Sequence, residues 1–225
     1  PTVLTLGTTA TLPLDVGQTA TLNLLFSSAV TGLTADDLVD SKGGSFGQLA
    51  SSDGGTSWTV VFTPNGDRLG PASIQLSGAY TDVAGNAGSA SSALAIGYAA
   101  TATASDGYIR GGNIFLDVDR SGTVNSGDIP KGQTGNDGSV AISLNQGEGG
   151  YDLLLQGGID ISTGLAFAGL LKAPAGSTML TPLTTLLADL VQSGAASNVA
   201  DAQARLGAAL GLPSGVDLTS YDPLA

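Results

Sequence analysis

The sequence predicts a mainly β protein: two tandem β-sandwich modules, the second closing with a helical hairpin. Three observations carry that prediction. Short apolar runs with period two recur between Gly, Asn and Asp turn signals through the first 97 residues. The pattern then resumes around an acidic loop at 117–128. After residue 178 the period lengthens to that of an α-helix.

In the first module, residues 1–97, Ala20 to Phe26 places Leu22, Leu24 and Phe26 on one face. Ser57 to Phe62 does the same with Trp58, Val60 and Phe62, which makes Trp58 a core residue. Pro71 to Leu76 supplies Ile74 and Leu76. The turns are Asp53-Gly54-Gly55, Pro64-Asn65-Gly66-Asp67 and Gly85-Asn86-Ala87-Gly88. Evenly spaced short strands of this kind suggest a sandwich.

The boundary falls near Ile96 to Ala104, so the second module is 98–225. It opens with strand-like Tyr108-Ile109-Arg110 and Asn113 to Leu116; Ser139 to Leu144 and Tyr151 to Leu155 follow beyond the acidic loop. Thr181 can cap a helix and Pro182 suits its first position. Leu183, Leu186, Leu187, Leu190 and Val191 form its inward stripe, and Gly194 stops it. Asn198 caps a second helix with Val199, Ala202, Leu206 and Leu210 inward, ended by Gly211 and Pro213. The hairpin is expected to lie as a lid on the second module's core.

Composition excludes much. The chain of 225 residues has no Cys and no His, which removes disulfides, zinc fingers, thiol catalysis and Ser-His-Asp chemistry. Seven Lys and Arg stand against 19 acids, a net charge of −12, so nucleic acid and anionic lipid are repelled. No apolar run reaches the roughly 18 residues of a membrane span, so no membrane insertion is expected. All but one of the acids are Asp, with Glu148 the exception, which points the charge to turns and cation loops rather than helices. The chain starts Pro1-Thr2-Val3 without an initiator Met or signal peptide and reads as an internal piece of something longer, so it carries no address of its own.

The strongest chemical signal is the twelve-residue run Asp117 to Asp128. Asp117, Asp119, Ser121, Asn125 and Asp128 put side-chain oxygens at positions 1, 3, 5, 9 and 12. Gly122 stands at position 6, where the wrap is sharpest, and Thr123 offers its carbonyl at position 7. A calcium ion takes six to eight hard oxygens, and this spacing supplies them. Ser121 ligates through its hydroxyl or a bridging water, and Asn125 directly or through water. Three carboxylates in one loop repel each other without a cation. The alternative is an Asp/Gly turn that holds no metal. The loop is entered from a strand, and Pro130 prevents a helix from following it. Ser at the third ligand and Asp at the last suggest the modest affinity of extracellular modules, about 10⁻⁴–10⁻³ M or somewhat tighter.

Strand, loop and then Gln133-Thr134-Gly135-Asn136-Asp137-Gly138-Ser139-Val140 resemble the calcium-binding B-type repeats of bacterial surface proteins, which have a prealbumin-like sandwich. The hairpin Asp of that pattern is displaced here to Asp137. Gly157-Gly158-Ile159-Asp160, Thr163-Gly164, Ala173-Pro174-Ala175-Gly176 and Thr181 to Leu186 resemble segments of very large secreted (RTX-type) bacterial adhesins. The first module resembles the bacterial immunoglobulin-like repeats of the same adhesins, in Phe26 to Leu33, Asp37, Phe62-Thr63-Pro64 and Tyr80 to Asn86, with its Asp82-Val83-Ala84-Gly85-Asn86 signature. The RTX nonapeptide itself is absent. The resemblance implies a calcium-stiffened spacer in an extracellular cell-surface adhesin that serves adhesion and biofilm, with calcium and neighbouring modules of the same chain as partners. It also carries over Asp82 and Asn86 as a second cation site, with a capped, metal-free turn as the alternative.

Other functions leave weaker traces. No nucleophile–base pair is legible and the clustered carboxylates are assigned to the loop, so no enzyme activity is expected. A calcium-dependent carbohydrate- or peptide-binding module would take a surface glycan or peptide on an exposed aromatic, from Trp58, Tyr80, Tyr98, Tyr108 or Tyr151. Self-association through a sheet edge would need divalent cations to bridge surfaces of like charge. Of Lys42, Lys131 and Lys172, none falls on a first core strand where an isopeptide bond would form.

Overall fold

Alternation decides the first unit. Strand β2 (Ala20–Phe26) buries Ala20, Leu22, Leu24 and Phe26 and turns Thr21 and Leu25 to solvent. It pairs antiparallel with β1 (Val3–Thr8) and with β7 (Ser57–Thr63), whose Val60 and Phe62 are buried on the same face. The computed structural model describes all residues except Asp67, Gln146 and Ser214. The described residues form two compact units, one gathering residues 1–66, 70–99 and 144–145, the other 68–69, 100–143 and 147–225.

In the first unit β3 (Val30–Thr31) precedes β4 (Leu38–Asp40), β5 (Ser45–Phe46) and β6 (Ala50–Ser51). Strands β8 (Ala72–Leu76), β9 (Thr81–Asp82) and β10 (Leu94–Ile96) complete it. One sheet runs β1-β2-β7-β5 with β6 also on β7; a second runs β10-β8-β4; β3 pairs β9. The buried faces of β2, β7 and β8 make the core, joined by Tyr80, whose ring meets Phe26 edge-on at 5.1 Å. Trp58 departs from expectation. It is half-buried at the start of β7, its indole N–H donating to Gly55 O at 2.9 Å. The alternation is right, but the core does not extend to the strand's first turn. Asp67, which ends the predicted turn at 64–67, lies outside the described residues.

The second unit contains β11 (Ala99–Ala104), β12 (Ile109–Arg110), β13 (Asn113–Asp117), β14 (Ile129–Gln133) and β15 (Ser139–Ser143). Strands β16 (Asp152–Gln156), β17 (Ile159–Asp160), β18 (Leu170–Ala173) and β19 (Met179–Leu180) follow. An antiparallel sheet runs β14-β13-β16-β18, and a three-stranded one β15-β11-β19, in which β11 and β19 are parallel. β16 buries Leu153, Leu154 and Leu155 in succession, so both faces of this inner strand are covered. Pro130 is tolerated because β14 is an edge strand whose register shifts opposite Ile114 and Phe115.

Helix α1 (Pro182–Gln192) starts where its cap predicts: Thr181 Oγ1 accepts from Thr184 N and Thr184 Oγ1 from Thr181 N. It packs on β18 through Thr184 Oγ1, which donates to Lys172 O, and through Lys172 N, which donates to Thr185 Oγ1. These bonds rotate the helix relative to the expected stripe. Thr184, Leu187 and Ala188 are its buried residues, while Leu186 is 47% exposed. Helix α2 (Val199–Leu210) is capped by Asn198, whose Oδ1 accepts from Asp201 N, and ends on Gly211 at φ +67°. Leu210, expected inward, is 51% exposed. Leu187, Ala196, Ala202 and Leu218 make a small core of the hairpin's own, flanked by Leu183, Leu190, Val191 and Leu206. No helix among the described residues is long and apolar enough to cross a membrane.

Candidate metal centre

Strand β13 delivers Asp117 to the rim of its sheet, and β14 takes the chain back into register at Ile129. Everything between must turn within that span, and Asp side chains do the turning. Asp117 Oδ1 accepts from Ser121 N (3.0 Å) and Oδ2 from Gly122 N (2.8 Å). Asp119 Oδ1 accepts from Ser121 N (3.0 Å). Asp128 Oδ1 accepts from Val118 N (3.2 Å) and Oδ2 from Asn125 N (2.9 Å), which closes the ring. Gly122 takes φ +66°, a conformation that a side chain disfavours.

Asp117, Asp119 and Asp128 each present a carboxylate oxygen within 4.8 Å of the others. Asp117 and Asp128 are buried and Asp119 is exposed. Asn125 Nδ2 stands 3.0 Å from Asp119 Oδ2, 3.1 Å from Ser121 Oγ and 3.2 Å from Thr123 O. So oxygens of three residues converge on one point, where an amide has only two hydrogens to give. Each carboxylate oxygen of Asp117, Asp119 and Asp128 accepts one hydrogen bond and keeps a further lone pair. Burial pushes the Asp117 carboxyl above its ordinary range. The N–H groups of Gly122 and Ser121 oppose this, while Asp119 and Asp128 add to it. Ser121 holds Asp119 below its ordinary value, helped by Asn125. Around the Asn125 amide nitrogen the cluster presents three carboxylates, the Ser121 hydroxyl and the Thr123 carbonyl. It fits a hard cation and offers no soft ligand. The cluster can hold a metal ion.

The structure brings together all six residues predicted for this loop: Asp117, Asp119, Ser121, Thr123, Asn125 and Asp128. It also adds three that sequence reasoning missed. Asp152 lies across from Asp117 in the β13–β16 register. Burial raises its carboxyl, the N–H of Ala175 opposes this, and Asp117 raises it further. Gln192 Nε2 donates to Arg120 O at 2.8 Å. A Cβ on Gly122 would stand 2.9 Å from Lys172 Nζ. A strand register and a helix docking bring these three in, and no local spacing announces either.

Asp82 and Asn86 also come together, but differently. Asp82 Oδ1 accepts from Ala84 N, Asn86 N and Asn86 Nδ2, and Oδ2 accepts from Asn86 Nδ2 at 2.9 Å. Asn86 holds the Asp82 carboxyl below its ordinary value. Among the aromatic candidates Tyr80 and Tyr98 are buried at 1% exposure, and Trp58, Tyr108 and Tyr151 are half-buried. The Tyr108 hydroxyl is occupied by Asp222 at 2.8 Å.

Residues 1–98 match the family model described as the bacterial Ig-like domain. No curated protein matches the chain. Among solved structures it is similar to the Yersinia pseudotuberculosis adhesin InvE, at 17% identity and a TM-score of 0.31, over 75% of this chain and 58% of that one. It is also similar to native alpha-2-macroglobulin from Escherichia coli spanning domains MG0-NIE-MG1, at 12% identity and a TM-score of 0.29, over 76% and 77% of the two chains. The chain thus spans well under two thirds of the InvE chain.

Proposed function

We propose that this chain is a non-enzymatic spacer segment of a bacterial cell-surface adhesin. In this reading 1–97 and 98–225 are tandem modules, and calcium bound at the 117–128 loop stiffens the second. The observation that supports it is the convergence of Asp117, Asp119 and Asp128 within 4.8 Å, with lone pairs beyond those the loop's own donors use. The bacterial Ig-like match over 1–98 supports the surface-protein setting.

Bound calcium would supply the positive charge that this oxygen cluster lacks. Asp117, Asp119 and Asp128 would give the carboxylate oxygens, Ser121 its hydroxyl and Thr123 its carbonyl; Asn125, whose amide nitrogen faces these oxygens and whose Oδ1 accepts from Gly127 N at 2.8 Å, would have to turn its amide over to ligate. Their part is to hold the turn between β13 and β14 in one shape. An ion that binds only the folded state adds about 2.7 kcal/mol of stability at a hundredfold excess over its dissociation constant. At a dissociation constant of about 10⁻⁴–10⁻³ M the loop fills outside a cell and stays empty in cytosol, so the ion acts as a clamp, not a sensor.

The test is a thermal melt of the chain from chelator to millimolar calcium, with magnesium in parallel. A saturable rise is expected, much weaker with magnesium, and lost in Asp117→Ala and Asp119→Ala. If both variants shift as the parent does, the loop is not the site.

A further inference from the structure

Arg120 sits between two oxygen donors of the loop, Asp119 and Ser121, and takes φ +57°. A residue with a side chain keeps that conformation only where its surroundings hold it. The hold comes from far along the chain. Gln192, the last residue of α1, donates from Nε2 to Arg120 O at 2.8 Å, across 72 positions. The neighbouring wrap is confined by the same side chain. A Cβ on Gly122 would stand 2.6 Å from Gln192 Oε1 and 2.9 Å from Lys172 Nζ. Lys172 is itself bound to α1, through Asp189 at 2.8 Å and through its own N–H to Thr185 Oγ1. Beside these contacts lies a cleft of about 380 Å³, with Asp117 and Arg120 of the loop, Asp152 of β16, and Val191 and Gln192 of the helix in its walls.

We propose that Gln192 is a positioning residue for the loop, and that filling the loop with calcium and docking the α1–α2 hairpin are thermodynamically coupled. The proposal rests on the reading of 117–128 as a calcium site. One hydrogen bond does both jobs: it fixes the Arg120 carbonyl, and so the approach of Asp119 and Ser121 to the ion, and it anchors the end of α1. Linkage is reciprocal. The factor by which the docked helix tightens calcium binding is the factor by which calcium tightens docking.

The experiment uses the whole chain and the near-isosteric Gln192→Met, which lacks the donor. Calcium affinity is measured by calorimetry, and hydrogen exchange of the 182–210 amides is followed in chelator and in calcium. In the parent, calcium is expected to raise the protection of those amides. In Gln192→Met, calcium binding is expected to weaken by about three- to tenfold, and the calcium-dependent gain in protection should shrink with it. The melting point in chelator should fall only slightly, by the loss of one exposed hydrogen bond. A purely structural role would lower it in chelator and leave the affinity unchanged. Arg205→Ala, which breaks an exposed ion pair with Asp201 on α2, is the control and should leave the affinity alone. The inference is overturned if Gln192→Met binds calcium as the parent does, or if the parent binds calcium without any change in helix protection; the calcium reading survives either result. A parent that binds no calcium overturns both.

Discussion

Two acidic turns in this chain look alike in sequence and differ in their lone pairs. At 82–86 a single carboxylate receives Ala84 N, Asn86 N and the Asn86 amide. At 117–128 three carboxylates share one space and each of their oxygens accepts one bond, while the Asn125 amide nitrogen faces Asp119 Oδ2, Ser121 Oγ and Thr123 O, and the Ser121 hydroxyl donates to Thr123 O. The protonation tendencies divide the same way. Asn86 stabilises the ionised Asp82, whereas burial and like charges destabilise the ionised Asp117. An Asp-rich turn is therefore poor evidence for a cation until its donors are counted. The Asp82 carboxylate receives four hydrogen bonds, whereas Asp117, Asp119 and Asp128 receive two each.

The largest effect on this contrast is expected from Gly122→Ala. The left-handed conformation at φ +66° costs a side chain about 1–2 kcal/mol, and the new Cβ presses on Gln192 and Lys172. The variant should melt lower in chelator and lose most of the calcium-dependent rise, read by the same melts. A response equal to the parent's would show that the wrap at position 6 does not shape the cation site. A smaller effect is expected from Asp82→Asn. It gives the carboxyl position an N–H₂ that opposes the donors of Asn86 and Ala84, so the melting point should fall by the same amount in chelator and in calcium. If calcium changes that difference, the turn at 82–86 is a second cation site and the contrast collapses.

The sequence showed what local spacing encodes. The period of β2 and β7 is visible because one face of each is buried, and the α1 start is visible because Thr181 and Pro182 sit side by side. The oxygens of the 117–128 loop are visible because a loop that wraps an ion must place them at set intervals. Long-range contacts were not visible. The rotation of α1, which exposes Leu186 and buries Thr184, depends on hydroxyl bonds to Lys172 O. The pairs β3–β9 and β12–β17 are two residues long and carry no period to read. Asp152 enters by register and Gln192 by helix docking. What the sequence missed at the site is what surrounds the loop, Asp152, Lys172 and Gln192.

Acid sharpens the comparison with the smallest change in stability. Asp82 is depressed in the folded chain from an ordinary value of 3.8, first by the Asn86 side chain. Its contribution is therefore complete above that value and is lost as pH falls through the folded value. Asp53, brought to about 2 by the N–H and hydroxyl of Ser57, follows the same sign and fades only near that pH. In a carboxyl-carbon NMR titration both should have midpoints below 3.8, unmoved by calcium. Asp117 starts from the other side, raised by burial. A cation held by its oxygens favours the ionised form, so calcium should pull its midpoint down. The informative quantity is the difference between the two turns in one sample. If Asp117 moves and Asp82 does not, the loop alone binds the ion. If both move, calcium reaches the closed turn as well. If neither moves, the crowded carboxylates at 117–128 are stabilised by their own N–H donors, and counting lone pairs overstates the need for a cation.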